Sequence, residues 1–210
     1  DWDGLTFGYL DSGSYIYGLT VEYGGDSSPC VELDAASISF EQLTVSNCGG
    51  AAAMTVSDGS LGIYYSSIEN NDGVGIDVAS DGSISYWYDV DITGNGDIPL
   101  RATAEALYAV SGDTYATTLS GNTVDEIELR DGQVTGTGWL ADFGLPYILS
   151  GDLDVSNNYG GTGALFLDAG VELRVAAGAE ISVGDGASGV LTAIGTSTDP
   201  VVITSDSASP

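Results

Sequence analysis

Five aspartates between residues 72 and 97 are the side chains of this sequence best suited to chemistry. They are Asp72, Asp77, Asp89, Asp91 and Asp97. Residues two apart on a β-strand share a face, so Asp89 and Asp91 are expected to point outward together. Beside an aspartate of a neighbouring strand, they would form a hard oxygen site suited to Ca²⁺. A solvated acidic face fits the same pattern, and the sequence contains neither an EF-hand loop nor the Ca²⁺-binding nonapeptide. We therefore treat Ca²⁺ as an optional ligand and expect no required cofactor.

A second candidate site is aromatic. Tyr64 and Trp87 occupy the same position in neighbouring copies of an internal repeat, and we expect them to stack on the outside of neighbouring strands, with Tyr86 pointing inward. Stacked outward rings would form a flat platform for a sugar. The rings could equally be covered by residues 134–150, which contain further aromatic residues.

The charge balance excludes several classes of function. The 210 residues include 31 acidic residues, three Arg, and no Lys or His, giving a formal charge of −28. Three cations cannot form the basic surface that nucleic acid requires, and an anionic membrane would repel the chain. Mechanisms that depend on His or Lys are also excluded. No apolar run approaches the length of a membrane span, and the residues that follow Asp1 do not have the pattern of a signal peptide, so we expect a mature form or an excised segment without membrane insertion.

The internal repeat predicts the elements that position these side chains. Four blocks of about 23 residues follow one another without gaps over positions 15–106. The first and third positions of every block are apolar or aromatic, which is the spacing of one strand face, so Tyr15 and Tyr17 are predicted to be in the core. Two further apolar clusters follow in each block, separated by turn residues. We therefore predict an all-β parallel β-helix (β-solenoid) with three strands per coil of about 23 residues, and roughly nine coils.

The same repeat divides the chain into regions. We predict a single β-helix domain over residues 1–210, with the clearest coils at 15–106 and C-terminal coils at 151–210. The stretch from 107 to about 133 is predicted to be another coil, and 134–150 an irregular excursion.

Asparagines recur after the second apolar cluster of the blocks. They are Asn47, Asn70, Asn71 and Asn95. Asparagine tolerates left-handed turns, and stacked amides could also hydrogen-bond from coil to coil. We favour such a ladder over simple turn preference.

The chain has two cysteines, Cys30 and Cys48, which lie near each other in the sequence. They fit a disulfide in an exported protein, or two small buried side chains. We favour the disulfide because the other features of the chain are typical of a protein outside the cell.

The chain resembles the right-handed parallel β-helices of the pectate-lyase-like superfamily. It is most similar to the β-helix repeats of large bacterial secreted and surface proteins. The resemblance is carried by four stretches in permuted order: AGVELRVAAGAEISVG (169–184), GVLTAIGTSTDPVVITS (189–205), DWDGLTFG (1–8) and YIYGLTVEYGG (15–25). It implies an extracellular or cell-surface location. The superfamily's lyases use a basic residue as proton acceptor, and its galacturonases use Asp supported by His and Lys. This chain has no His or Lys, and its basic residues are three scattered Arg.

The function expected from these observations is structural. We predict a non-catalytic extracellular β-helix repeat that stacks head to tail through open terminal coils. Its partners would be copies of itself or adjacent repeats of a longer chain. The alternative is a carbohydrate-binding or carbohydrate-processing β-helix with a glycan partner, because two carboxylates at a suitable distance suffice for a glycosidase.

Overall fold

A computed structural model of the chain describes residues 2–9, 14–112, 114 and 116–207. The protein is nearly all β, with 4% helix, and its parallel sheets stack as a β-solenoid of about eight turns. This confirms the predicted fold class. Two compact units make up the chain: unit 1 is Asp1–Arg101 with Asp113–Asp125, and unit 2 is Ala102–Gly112 with Glu126–Pro210. That all 210 residues form a single domain stays a prediction, as does the right-handed sense of the helix.

The described residues of unit 1 form eleven strands, the last of which crosses the unit boundary by one residue. They are β1 (Leu5–Gly8), β2 (Ser14–Tyr17), β3 (Thr20–Glu22), β4 (Val31–Asp34), β5 (Ser37–Glu41), β6 (Thr44–Ser46), β7 (Ala52–Ser57), β8 (Ser60–Glu69), β9 (Val74–Val78), β10 (Ser83–Thr93) and β11 (Leu100–Ala102). One sheet runs β1-β4-β7-β9-β11, and a second runs β2-β5-β8-β6-β3 with β10 paired to β8. The long strands β8 and β10 therefore each pass through positions that β5 and β6 occupy separately.

Register pairs give the length of each coil. Val31 pairs with Met54, Met54 with Ile76, and Ile76 with Leu100, so the coil length varies only slightly around the predicted repeat. All four side chains are fully buried. Parallel pairing places like positions above one another, so the apolar side chains form continuous columns along the core.

Left-handed residues make the corner between the second sheet and the first. Tyr23, Asn47, Asn70, Gly94 and Gly121 all have φ between 56° and 90°. Only Gly and, less readily, Asn adopt this conformation at little cost. The recurrence of Asn and Gly at this corner is therefore explained by backbone geometry.

The described residues of unit 2 form one helix and ten strands. They are α1 (Ala104–Val110), β12 (Ile127–Leu129), β13 (Gly132–Val134), β14 (Thr137–Leu140), β15 (Tyr147–Leu149), β16 (Leu153–Val155), β17 (Gly163–Leu167), β18 (Glu172–Val175), β19 (Ile181–Val183), β20 (Gly189–Ala193) and β21 (Val202–Ser205). Three parallel sheets run β12-β15-β18-β21, β13-β16-β19 and β14-β17-β20. Each complete coil thus contributes three strands, as predicted.

The irregular excursion predicted at 134–150 is wrong. This stretch contains β14 and β15, which pair in parallel with β17 and β18. The interruption comes earlier, between β11 and β12. Helix α1 occupies the start of the coil predicted from residue 107, and the coil resumes at Thr118, which forms a parallel bridge with Asp91. Thr103 caps the helix by accepting a hydrogen bond from the amide of Ala106, and the helix buries Leu107 and Val110. A spacing of three residues between buried side chains suits a helix. The strand repeat, which has a period of two, does not predict this helix.

Candidate functional site

The structure contains an asparagine ladder, which consists of Asn71, Asn95 and Asn122. The side-chain oxygen of Asn95 accepts from the side-chain nitrogen of Asn71 at 2.8 Å, and that of Asn122 accepts from Asn95 at 2.9 Å. Each amide nitrogen also donates to a carbonyl: Asn71 to Val45, and Asn95 to Ile68. The ladder therefore bonds three coils of unit 1 through the buried side chains of Asn71 and Asn95 and the half-buried side chain of Asn122.

Asn47 and Asn70 do not belong to this ladder. Both are exposed and have left-handed backbones, so they hold the corner rather than link the coils. Asn122 was missed because the helical interruption places it further beyond Asn95 than one repeat of the sequence. Its signal was the Gly121-Asn122 pair, which repeats Gly94-Asn95.

The structure does not bring the five candidate aspartates together. Asp77 lies on β9 and forms an ion pair with Arg101 at 3.2 Å, whereas Asp89 and Asp91 lie on β10 in the other sheet. Asp97 accepts from the amide of Ile98 beside it, and Asp72 lines a separate groove near Asn47. Among the described residues, no three His, Cys, Asp or Glu side chains are grouped to hold one metal ion. Calcium binding stays a prediction.

The predicted orientation of the aromatic platform is wrong. Trp87 is only 4% exposed and donates from Nε1 to the hydroxyl of Thr117 at 2.8 Å. It pairs in register with buried Ile63, while Tyr86 pairs with Gly62 and points outward. The cause is an irregularity between Ile84 and Tyr86. One extra residue in a strand exchanges its inward and outward faces.

The same correction applies to Tyr15 and Tyr17. Both are more than half exposed, and it is Ile16 that pairs with the core residue Phe40. The structure thereby assembles an aromatic surface that sequence reasoning had divided between core and exterior. We call it the tyrosine face. It consists of the outward residues on β2, β5, β8 and β10: Tyr15, Tyr17, Ser39, Glu41, Gly62, Tyr64, Tyr86 and Tyr88.

Two register columns organise the tyrosine face. One column is Tyr15, Ser39, Gly62 and Tyr86, and the other is Tyr17, Glu41, Tyr64 and Tyr88. The rings of Tyr64 and Tyr86 lie 4.7 Å apart between centroids. Tyr88 also contacts the corner residue Tyr65 edge to face at 5.4 Å.

Glu41 is the one carboxylate of this face. Its Oε2 accepts a hydrogen bond from the hydroxyl of Tyr15. This bond, with a smaller contribution from desolvation, raises the pKa of Tyr15 to about 12. Desolvation, followed by the proximity of Tyr88 and Asp89, also raises the pKa of Tyr65. The phenols of Tyr15 and Tyr65 therefore stay neutral well above physiological pH.

Unit 2 contains an open acidic groove of about 420 Å³. Asp131, Asp152, Asp154 and Glu180 line it. Asp154 accepts from Ser156 at 2.8 Å and from Gln133 at 3.2 Å, and Asp152 accepts from the amide of Glu180 at 2.9 Å. The bonds to Gln133 and Glu180 tie neighbouring coils together, so we assign the groove a structural role.

The last coil of unit 2 leaves its core side chains uncovered. Val183, Leu191 and Ile203 are 42%, 37% and 47% exposed. They pair in register with Val155, Leu165 and Leu173, which are at most 1% exposed. Side chains in one parallel column point the same way, so the three exposed residues point inward. No described residue forms a further coil over them.

Both cysteines take part in a disulfide, with 5.9 Å between the Cα atoms of Cys30 and Cys48. Of the two alternatives, the structure supports the predicted disulfide. No helix in the described part of the chain is long and apolar enough to cross a bilayer. Comparisons with family models, curated proteins and solved structures found no match.

Proposed function

We propose that this protein is a non-catalytic structural segment of an extracellular or cell-surface β-solenoid, and that it stacks axially through its open coil. The observation that carries the proposal is the exposure of Val183, Leu191 and Ile203 in columns that are otherwise fully buried. A disulfide supports the location, since such bonds persist in oxidising compartments.

The energetics of the open coil favour a covering layer. Burying one aliphatic side chain of this size contributes about 1.5–3 kcal/mol. Strands β19, β20 and β21 each pair on one side only, and unpaired edges are templates for further strands. A second copy, or an adjoining repeat of the same polypeptide, would cover the side chains and pair the edges at once.

The test compares an inward substitution with an outward one on the same strand. We expect Ile203→Asp to weaken end-to-end association by at least about tenfold, because a carboxylate would enter a buried contact. Thr204→Asp adds the same charge on the outer face and is expected to have little effect. Sedimentation velocity and negative-stain microscopy measure the association.

A chain carrying two copies in tandem tests the adjoining-repeat form of the proposal. Greater stability per copy than in the single chain would support it, and Ile203→Asp in the first copy should abolish the gain. If the single chain does not associate and the tandem chain gains no stability, the proposal is wrong.

The carbohydrate alternative is weaker on this structure. The predicted platform required an outward Trp87, and that ring is in the core. The tyrosine face is the surface on which glycan binding would have to be sought, and titration with a neutral oligosaccharide measures it.

A further inference from the structure

We propose that the tyrosine face is a binding site for the guanidinium and ammonium groups of a basic polypeptide partner, with Glu41 as the anchoring carboxylate. This role is separate from axial stacking, because the face consists of outward side chains, whereas stacking would use the strand edges and the inward side chains of an open coil.

The position of Glu41 between two rings is the first support. In its register column, Glu41 on β5 is flanked by Tyr17 on β2 and Tyr64 on β8. Neighbouring strands are about 4.8 Å apart. A cation paired with Glu41 would therefore lie within the roughly 6 Å at which a tyrosine ring attracts it. Glu41 is half-buried, so water screens the charge less than at a fully exposed carboxylate.

The residues of the face beside Glu41 are small. Ser39 and Gly62 separate Tyr15 from Tyr86 in the adjacent column, a span of three strand spacings or about 14 Å between backbones. A Cβ at Gly62 would lie 2.5 Å from the hydroxyl oxygen of Ser39, so this position has no room for a side chain. The surface beside Glu41 is therefore formed by tyrosine rings and not by other large side chains.

The chemistry of the tyrosine face favours a cation. The carboxylate that already accepts from Tyr15 retains acceptor positions for a guanidinium. The faces of the aromatic rings are negative, and five tyrosines in or beside the tyrosine face are between 41% and 61% exposed: Tyr15, Tyr17, Tyr65, Tyr86 and Tyr88.

The chain has no Lys. Within the described residues, the ion pairs of Arg101 and Arg174 are with Asp77, Glu126 and Glu172, not with Glu41. The third, Arg130, follows β12 in unit 2. A formal charge of −28 attracts a basic partner and repels an anionic one. Charge complementarity therefore favours a Lys- or Arg-rich segment over an acidic or a neutral ligand.

The first experiment separates the site from general acidity. The full chain is titrated with a fluorescein-labelled octa-arginine peptide in 0.15 M NaCl, and anisotropy is recorded. We expect Glu41→Gln to weaken binding about tenfold, since it removes the anchoring charge between two rings. Glu32→Gln is the matched control: Glu32 is also half-buried on a strand of unit 1 and also accepts one hydroxyl, from Thr6. It should change binding less than about twofold.

The second experiment tests the rings. The double variant Tyr17→Leu, Tyr64→Leu should weaken binding about tenfold, while the matching Phe variant, which keeps the aromatic faces, should stay within about twofold. Circular dichroism and urea midpoints confirm that each variant folds. Equal binding by the Gln variants, or by the Leu and Phe variants, would overturn the proposal.

A neutral oligosaccharide, cellohexaose, is titrated in parallel. Tyrosine-dependent binding of this sugar without tyrosine-dependent binding of octa-arginine would replace the proposal with a glycan site. Neither result depends on whether the chain stacks end to end.

Discussion

Replacing Asn95 by alanine is expected to lower the free energy of unfolding by about 3 kcal/mol, because a buried amide links three coils. The side chain is 1% exposed. Its nitrogen donates to Ile68 at 3.0 Å and to Asn122 at 2.9 Å. Its oxygen accepts from the backbone and side-chain nitrogens of Asn71 at 3.2 and 2.8 Å.

The magnitude follows from the groups left behind. Alanine removes four hydrogen bonds, each contributing a net 0.5–1.5 kcal/mol or so. The amide of Asn71 and the carbonyl of Ile68 also lose a partner in a buried site, which costs about 1–3 kcal/mol for a group left unsatisfied. Asn71 retains its bond to Val45, and Asn122 still accepts from the Asn95 backbone at 3.0 Å. Because these bonds remain in the variant, we expect a loss of about 3 kcal/mol, which is less than the sum of all contributions.

Urea denaturation followed by circular dichroism gives the measurement, with the slope m compared between variants. Asn70→Gly is the matched control, since Asn70 is exposed with φ of 57° and the next two coils place Gly94 and Gly121 at this corner. We expect it to change stability by less than about 0.5 kcal/mol. A loss below about 1 kcal/mol for Asn95→Ala, or an equal loss in both variants, would refute the ladder as a source of stability.

Two further predictions concern stability. The double variant Cys30→Ser, Cys48→Ser should lose about 3 kcal/mol, as expected for a closed loop of this length, and dithiothreitol should have the same effect on the wild type in urea titrations. Burial raises the pKa of the Tyr147 phenol in the folded protein. As the pH rises, the phenol therefore loses its proton in the unfolded chain, near pH 10, before it does so in the folded protein. The contribution of Tyr147 to stability should therefore be constant below about pH 10 and fall above it. Tyr147→Phe should make the fall shallower, and at pH 7 should cost about 1 kcal/mol through the lost bond to Ala141.

The core columns could be predicted because stacking constrains them strongly. Every coil must present apolar residues at the same positions, so Met54 and Ile76, or Phe40 and Ile63, repeat at nearly constant spacing. This periodicity is a property of the sequence alone. It was sufficient for the fold class and for three strands per coil.

The outer faces could not be predicted from the same alignment. Ile16 pairs with Phe40, and Phe40 pairs with Ile63, but the first interval is one residue longer than the second. A gapless alignment of equal blocks is therefore one residue out of register at β2, and again at β10 after Ile84. Such a slip matters little for identifying strands but reverses which side chains face solvent. For that reason the prediction exchanged inward and outward residues at β2 and β10: Tyr15, Tyr17 and Tyr86 are exposed and Trp87 is buried.

The ladder column explains why the disulfide lies where it does. Backbone bonds define the column: Gly49 donates to Gly24, Asp72 to Cys48, Gly96 to Asn71, and Thr123 to Asn95. Cys48 therefore occupies the position of the ladder asparagines one coil earlier, and its amide donates to the side-chain oxygen of Asn71 at 3.0 Å.

The amide ladder ends at Cys48, and the link to the preceding coil is there the disulfide to Cys30. An asparagine there would need an amide partner in the preceding coil, where Gly24 packs against Trp2 and the sulfur of Cys30. The disulfide satisfies this end without leaving a buried polar group. We conclude that the disulfide and the three asparagines form one continuous cross-link, so the effects of Asn71→Ala and of cysteine removal should not be additive.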